Sequence, residues 1–158
     1  MSDEAKALIE LSELRIGNYL LYKGNVVYVT SLTMDIDDEY EDQIGFCKIE
    51  ERSNEHSGWN RSLYNDLDRI PLSEEYFQKF GFEKSATSPY SDCEAFKIFK
   101  DASRLIWCAG DLFKPLSQGF VRITNYDFIS NPNPIQFVHQ LQNILYCLTG
   151  RQIKIDCQ

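Results

Sequence analysis

The side chains that could supply a general base or a soft metal ligand are few: this chain of 158 residues has two histidines and five cysteines. His56 lies in the polar stretch 53–59, where Glu55 or Asp66 could orient it as a general base. His139 lies beside the apolar stripe of an amphipathic stretch. We expect it at the rim of a helix, hydrogen-bonded to a neighbouring element rather than bound to a ligand. A position in an exposed loop explains His56 and a position at a helix rim explains His139, without a catalytic role for either. We therefore predict no catalytic residue.

The five cysteines are widely spaced, and no two of them form a Cys-x-x-Cys pair: Cys47, Cys93, Cys108, Cys147 and Cys157. Structural zinc sites draw their ligands from close pairs on turns, so we predict no metal. An odd count without an apolar signal sequence is typical of reduced thiols, so we predict five free thiols in a cytoplasmic protein. The sequence has no phosphate-binding glycine loop and no Gly-x-Ser-x-Gly elbow, and we predict no cofactor.

The densest run of charge is acidic and covers residues 35–42, which we call the acidic segment. Its opening, Asp35-x-Asp37, resembles a calcium loop. The sixth and twelfth positions of such a loop need glycine and glutamate, but here they hold Tyr40 and Phe46, so calcium is not expected. We predict that the carboxylates of this segment bind a partner: Asp35, Asp37, Asp38, Glu39, Glu41 and Asp42.

The net charge of −8 is unevenly distributed. Residues 1–55 hold 13 acidic and five basic side chains, whereas residues 56–158 hold 11 of each. Such a field repels nucleic-acid phosphates and attracts basic protein surfaces. One interpretation is a solvated loop. The other, which we favour, is a patch that docks on a host protein with a basic surface, without direct contact with nucleic acid.

The elements that would position these groups begin with a β-hairpin. β-Branched and aromatic residues lie on both sides of Lys23-Gly24-Asn25, which predicts a hairpin over residues 16–30 with Gly24 or Asn25 at positive φ. Residues 44–49 are typical of a third strand. Three short strands in this order predict a curled, SH3-like antiparallel sheet.

A short helix is predicted between Ser73 and Gly81. Ser73 is suited to cap its first turn, and Gly81 suits the left-handed position after its last turn. Phe82 should then fold back on Phe77. Residues 83–94 are typical of a loop.

Further strands are predicted at residues 95–99, 104–109 and 120–124, with Gly110 and Pro115 acting as breaks. A closing helix is predicted over residues 134–149, with Asn133 as its cap, Pro134 in its first turn and Gly150 at its end. Its buried stripe should contain Phe137, Leu141, Ile144, Leu145 and Leu148. Its glutamines and asparagine should face away: Gln136, Gln140, Gln142 and Asn143.

The sequence therefore predicts one α+β domain over residues 1–158, with a curled sheet at its N-terminus, further strands and a closing helix. No run of 18 apolar residues occurs, so we expect no membrane span.

Three blocks of the sequence carry a resemblance to a known family. They are "LRIGNY" at residues 14–19, "IPLSEEYFQKFGF" at residues 70–82 and "FVHQLQNILYCLTG" at residues 137–150. The chain resembles small proteins of Bacteroidota genomes and their phages, which carry "LRIGNYV", "IPLTEEWLLKFGF" and "YVHQLQNLYFALTG". The acidic segment departs from that family. The resemblance implies a small intracellular accessory protein of phage or mobile-element origin, and it brings no activity with it.

Charge and resemblance together favour a non-enzymatic accessory protein that binds a host protein. A concrete form is an anti-CRISPR-type inhibitor that attaches its acidic surface to the basic channel of a defence nuclease. One alternative is a small hydrolase or nuclease that uses His56 or a carboxylate pair. Another is a structural component of a phage assembly.

Overall fold

The structure is a computed structural model, and it describes residues 9, 11–33, 43–49, 60–63, 66–100, 103–123 and 135–155. Contacts divide the chain into two compact units. Unit 1 contains Met1–Pro71 and Phe137–Gln152, and unit 2 contains Leu72–Gln136 and Ile153–Gln158. The α+β class is confirmed: the described residues form two antiparallel five-stranded sheets and two α-helices, the second of them near the C-terminus. Assignment of residues 1–158 to a single domain stays a prediction.

The sheet of unit 1 has the strand order β4-β3-β2-β1-β5 and is open rather than closed into a barrel over its described strands. Its strands are β1 (Tyr19–Tyr22), β2 (Asn25–Thr33), β3 (Gln43–Lys48), β4 (Asn60–Leu63) and β5 (Leu67–Asp68). A register shift between Val29 and Ser31 interrupts the pairing of β2 with β3. An irregularity of this kind bends a strand and strengthens its twist.

The predicted hairpin is confirmed as β1 and β2. Tyr22 pairs with Asn25, so Lys23 and Gly24 form a two-residue turn. Their φ angles are +50° and +79°, and positive values at both positions match the right-handed twist of the flanking strands. The third strand is confirmed as β3.

The core of unit 1 is built mainly from residues of these strands and the segment before them. Tyr22 and Leu32 pack against its buried members, which are Ile9, Leu14, Leu20, Val27, Val29, Ile44, Phe46 and Leu67. Leu20, Val29 and Ile44 have no exposed surface. Burial of these side chains is what favours the sheet over the unfolded chain.

The sheet of unit 2 has the order β10-β9-β8-β7-β6. Its strands are β6 (Glu83–Lys84), β7 (Ala95–Lys100), β8 (Ser103–Cys108), β9 (Asp111–Pro115) and β10 (Phe120–Arg122). β7, β8 and β10 confirm three predicted strands, while β6 lies in the predicted loop.

Strand β9 corrects the prediction that Gly110 and Pro115 mark a break. Ala109 and Gly110 form a two-residue turn with φ angles of +50° and +87°, and Cys108 pairs with Asp111. Pro115 is the last residue of the strand, a position where a missing N–H is tolerated. The two residues therefore mark the ends of β9.

Helix α1 (Glu74–Lys79) is confirmed with both of its predicted ends. The Oγ of Ser73 accepts from the N–H of Tyr76 at 3.5 Å, and Gly81 has a φ of +79°. The N–H of Phe82 donates to the carbonyl of Phe77 at 2.8 Å, and the two rings are 5.4 Å apart. The predicted fold-back of Phe82 on Phe77 is therefore present.

Helix α2 (Val138–Thr149) begins later than predicted. Phe137 precedes it in extended conformation (φ −122°, ψ 152°) and forms a β-bridge with Pro71. The N–H of Val138 donates to the carbonyl of Ile70 at 2.9 Å, so tertiary pairing holds extended a residue that the helical pattern includes. Asn133 and Pro134 lie outside the described residues. The end at Gly150 is confirmed, with a φ of +68°.

The buried stripe of α2 was predicted correctly only in part. Leu141 and Leu145 are buried, Phe137 and Ile144 are half-buried, and Leu148 is 45% exposed. The predicted outward face is wrong at Gln142, which is 3% exposed, and at Gln140 and Asn143, which are half-buried; Gln136 is exposed as predicted.

The four described cysteines are free thiols: Cys47 and Cys108 are buried, and Cys93 and Cys147 are exposed. Cys157 lies outside the described residues. Among the helices of the described residues, none has both the length and the apolar character needed to cross a bilayer.

Replacing Leu141 with alanine should lower the free energy of unfolding by roughly 2–5 kcal/mol. Leu141 is 1% exposed, so the change removes buried methyl groups and leaves a cavity. Urea unfolding followed by circular dichroism measures the loss. Leu148→Ala is the matched control on the same helix and should cost less than about 1 kcal/mol. Equal losses for the two variants would contradict the assigned face of α2.

Candidate functional site

The acidic segment connects β2 to β3. Its six predicted contact residues lie outside the described residues: Asp35, Asp37, Asp38, Glu39, Glu41 and Asp42. The flanking residues Thr33 and Gln43 are register partners in the β2–β3 ladder. The chain therefore leaves the sheet of unit 1 and re-enters it on adjacent strands, at one end of one ladder.

The hydrolase alternative depends on residues that the structure describes only in part. His56 and Glu55 lie outside the described residues, and Asp66 is exposed. Within the described residues, no group of three or more His, Cys, Asp or Glu side chains could hold a metal ion.

The best-defined polar site is in unit 1, where the side chain of Gln142 contacts the backbone just before and at the start of β1. Its Oε1 accepts from the N–H of Tyr19 at 2.9 Å, and its Nε2 donates to the carbonyl of Gly17 at 3.1 Å. Both bonds are buried. Gln142 therefore satisfies a donor and an acceptor of the backbone that water cannot reach.

Asn143 extends this contact by one residue. Its Oδ1 accepts from Nδ2 of Asn18 at 2.9 Å, and its Nδ2 donates to the carbonyl of Glu13 at 2.7 Å. Asn18 in turn accepts from the N–H of Arg15 through its Oδ1 at 2.8 Å. We call Gln142 and Asn143, with their bonds to residues 13–19, the amide clamp.

Gly17 is required at the clamp for two reasons. Its φ is +98°, and a Cβ there would lie 1.1 Å from Nε2 of Gln152. That Nε2 donates to the carbonyl of Ile16 at 3.1 Å. The backbone carbonyls of Ile16 and Gly17 thus accept hydrogen bonds from Gln152 and Gln142. A side chain at residue 17 would collide with Gln152.

His139 lies one turn from the amide clamp, and its position corrects the sequence analysis. It was predicted at the rim with a hydrogen bond, but it is 0% exposed and neither ring nitrogen has a hydrogen-bond partner among the described residues. Its Nε2 is 3.5 Å from Oε2 of Glu13, which pairs with Arg69 at 2.9 Å. The ring of Phe137 stacks on it, with centroids 6.0 Å apart.

Burial, followed by the nearby charge of Arg69, lowers the pKa of His139 from 6.5 to about 4. Although Glu13 is close, its negative charge is balanced by the ion pair with Arg69. The imidazole of His139 is therefore uncharged at neutral pH. A base of such low pKa with no exposed surface is poorly suited to abstract a proton from a substrate. In this structure, the side chain of His139 packs α2 within unit 1.

Unit 2 contains a groove of ≈ 370 Å³ that the sequence analysis missed. We call it the aromatic groove. Phe77, Phe96 and Trp107 line its floor, and the exposed residues Glu74, Cys93 and Glu94 line its rim. Phe96 and Trp107 are register partners on β7 and β8. The alternation of these strands was visible in the sequence, but their register, which places the two rings side by side, was not.

The charges that line the groove are acidic. Glu94 pairs with Lys84, and the bond to Glu94 raises the pKa of that lysine. Both side chains of the pair are more than half exposed, so water and salt weaken their attraction. Glu74, at the start of α1, is the second carboxylate of the rim.

Comparison of this chain with protein-family models, curated proteins and solved structures found no match. The geometry therefore stands alone. The geometry brings together residues of all three blocks that carry the family resemblance. Residues 14–19 and 137–150 meet at the amide clamp, and Ile70 and Pro71 of the second block pair with Val138 and Phe137 of the third.

Replacing Gln142 with leucine should lower the free energy of unfolding by roughly 2–5 kcal/mol. The change leaves the N–H of Tyr19 and the carbonyl of Gly17 buried without their partner. Gln78→Leu, at an exposed position of α1, is the control and should stay within about 0.5 kcal/mol of the natural protein. A Gln142→Leu protein as stable as the control would show that the two hydrogen bonds of Gln142 contribute nothing to the free energy of unfolding.

The stability of the protein should depend on pH through His139. The unfolded chain binds a proton below pH 6.5, and the folded protein does so only below about 4. The contribution is therefore complete above pH 6.5 and is lost as the pH falls toward 4. From pH 6.5 to 5, the natural protein should lose roughly 1.5 kcal/mol more than His139→Phe. The comparison cancels the titration of all other groups, which the two proteins share.

Urea titrations at a series of pH values measure this difference. His56→Gln, which changes the other histidine, should retain the part of the slope that belongs to His139. Parallel profiles for the natural protein and His139→Phe would contradict the low pKa.

Proposed function

We propose that this chain is a cytoplasmic, non-enzymatic accessory protein of phage or mobile-element origin that binds a basic surface of a host protein through its acidic segment. In its most specific form, the partner is a CRISPR or other defence nuclease, and binding closes its nucleic-acid channel in the manner of an anti-CRISPR protein. The observation that carries the proposal is the placement of the acidic segment between two paired strands.

The placement matters because a charged segment binds best when its ends are fixed. Thr33 and Gln43 are held as partners at the end of the β2–β3 ladder, above a core that includes Ile44 and Phe46. Fixed ends lower the entropy that the segment loses when it binds. Six carboxylates within eight residues then supply a strong local field.

The charge balance of the chain supports the same proposal. The whole excess of negative charge belongs to residues 1–55, and the remainder is neutral. An uneven field orients a protein as it approaches a basic partner and speeds association. A channel that binds nucleic acid has the complementary charge.

The proposed origin and compartment have separate support. The origin depends on the three blocks that resemble Bacteroidota and phage proteins. The compartment is supported by the four described cysteines, which are free thiols, as is usual where glutathione and thioredoxin keep thiols reduced.

Capture from a lysate of a related Bacteroidota host, followed by elution with increasing salt, would isolate the partner. Binding rates should then be measured for the purified pair. Neutralising five carboxylates (Asp37→Asn, Asp38→Asn, Glu39→Gln, Glu41→Gln and Asp42→Asn) should slow association and flatten its salt dependence. The free energy of unfolding should change little, since exposed charges contribute little to stability.

A matched pair of smaller variants separates local charge from total charge. Asp37→Asn, Asp38→Asn and Glu39→Gln remove three charges from the acidic segment. Glu75→Gln, Glu83→Gln and Asp92→Asn remove three from exposed positions of unit 2. Only the first set should slow association strongly. Equal effects, or unchanged binding at every salt concentration, would remove the acidic segment as the contact surface.

A further inference from the structure

We propose that the aromatic groove of unit 2 binds the guanidinium group of an arginine side chain on a protein partner. The inference extends the proposed function, since a basic host protein would supply the arginine, but the groove can be tested without that partner. The site would hold one side chain, which suits a volume of ≈ 370 Å³, near the lower end of the range for ligand pockets.

The floor of the groove offers a rigid aromatic face. Trp107 is partly exposed, whereas Phe77 and Phe96 are 2% and 4% exposed and pack against it. The rings of Phe77 and Phe96 stack 4.3 Å apart at an interplanar angle of 10°, and Trp107 lies 4.7 Å from Phe77. These contacts restrict rotation of the three rings, and the exposed part of Trp107 remains available to a ligand.

The two charged residues that line the groove are both acidic, although Lys84, which does not line it, pairs with one of them. Glu74 and Glu94 are both exposed and both line the groove, and the residues that line it include no lysine or arginine. Carboxylates above an aromatic face favour a cation, because the face of the ring is itself electron-rich. They also disfavour an anion, by direct repulsion.

Arginine fits this combination better than lysine does. Its guanidinium is flat, stacks on tryptophan and presents paired N–H donors that match a carboxylate. An ammonium group is compact and more strongly hydrated, so it gives up more solvation when it enters a partly apolar groove. The partner chemistry is therefore a protruding arginine.

Lys84 is the internal competitor for this site. It pairs with Glu94 at the rim and also interacts electrostatically with Glu74. An incoming arginine has to share Glu94 with it. Removing the lysine should free the carboxylate and strengthen binding.

The test uses N-acetyl-arginine amide as the probe and the full chain as the protein. Nuclear magnetic resonance follows the indole N–H of Trp107, with Trp59→Phe used to assign the two tryptophan signals. The probe should shift the Trp107 signal saturably in the millimolar range, as expected for one side chain. N-acetyl-citrulline amide, which has nearly the same shape but no charge, should not shift it.

Variants then locate the charge. Glu74→Gln with Glu94→Gln should weaken arginine binding about tenfold or more, in line with the loss of charge-assisted bonds. Glu83→Gln, an exposed carboxylate near the groove in sequence but not lining it, should leave the affinity unchanged. Lys84→Gln should tighten binding.

Three results would overturn the proposal: no saturable shift with the arginine probe, an equal shift with citrulline, or equal binding of N-acetyl-lysine amide. The variant with five neutralised carboxylates in the acidic segment distinguishes this proposal from the proposed function. It should still bind the arginine probe at Trp107 even if it no longer binds the host protein, so failure of one proposal can be distinguished from failure of the other.

Discussion

The hydrogen bonds of Gln142 and Asn143 to residues 13–19, before and at the start of β1, are the constraint on which unit 1 depends. They join residues more than 120 positions apart in sequence and satisfy backbone groups of Gly17 and Tyr19 that lie out of reach of water. Around them the chain is held tightly: Gly17 donates to Val29, and Val29 donates to Asn18, so the clamp also fixes the start of the hairpin. The apolar core would accept many arrangements of a sheet and a helix, whereas directional amide bonds select one register.

Local signals in the sequence were sufficient for the hairpin and for α1. Gly24 at a turn, and Ser73 and Gly81 at the ends of a helix, act over a few residues, and the structure has each as predicted. Signals of longer range failed. The helical pattern predicts Gln142 in solvent, because a glutamine on an amphipathic helix usually lies there. Its actual partners belong to a distant part of the chain. The start of α2 was misplaced for the same reason, since pairing with residues 70–71 holds the preceding residues extended.

The candidate sites also differ in how far the sequence alone predicts them. The acidic segment could be read directly from composition, because charge is a property of the residues themselves. The aromatic groove could not, because it exists only once β7 and β8 are in register and α1 brings Phe77 to Trp107. His139 lies between the two cases: the helical pattern places it beside the apolar stripe, but it is fully buried next to Glu13, which is far away in the sequence and pairs with Arg69.

The division of unit 1 into two stretches of sequence has a consequence for synthesis on the ribosome. The chain leaves unit 1 at Pro71 and returns to it at Phe137, so the helix that carries the clamp emerges only after residues 72–136. Residues 72–136 form nearly all of unit 2. They can therefore pair with one another before the side chains of Gln142 and Asn143 are available to the N-terminal strands. The N-terminal part of unit 1 is thus completed only after residues 72–136 have been made. A chain that stalls before residue 142 would expose the unpaired N–H of Tyr19 and carbonyl of Gly17 to chaperones and proteases.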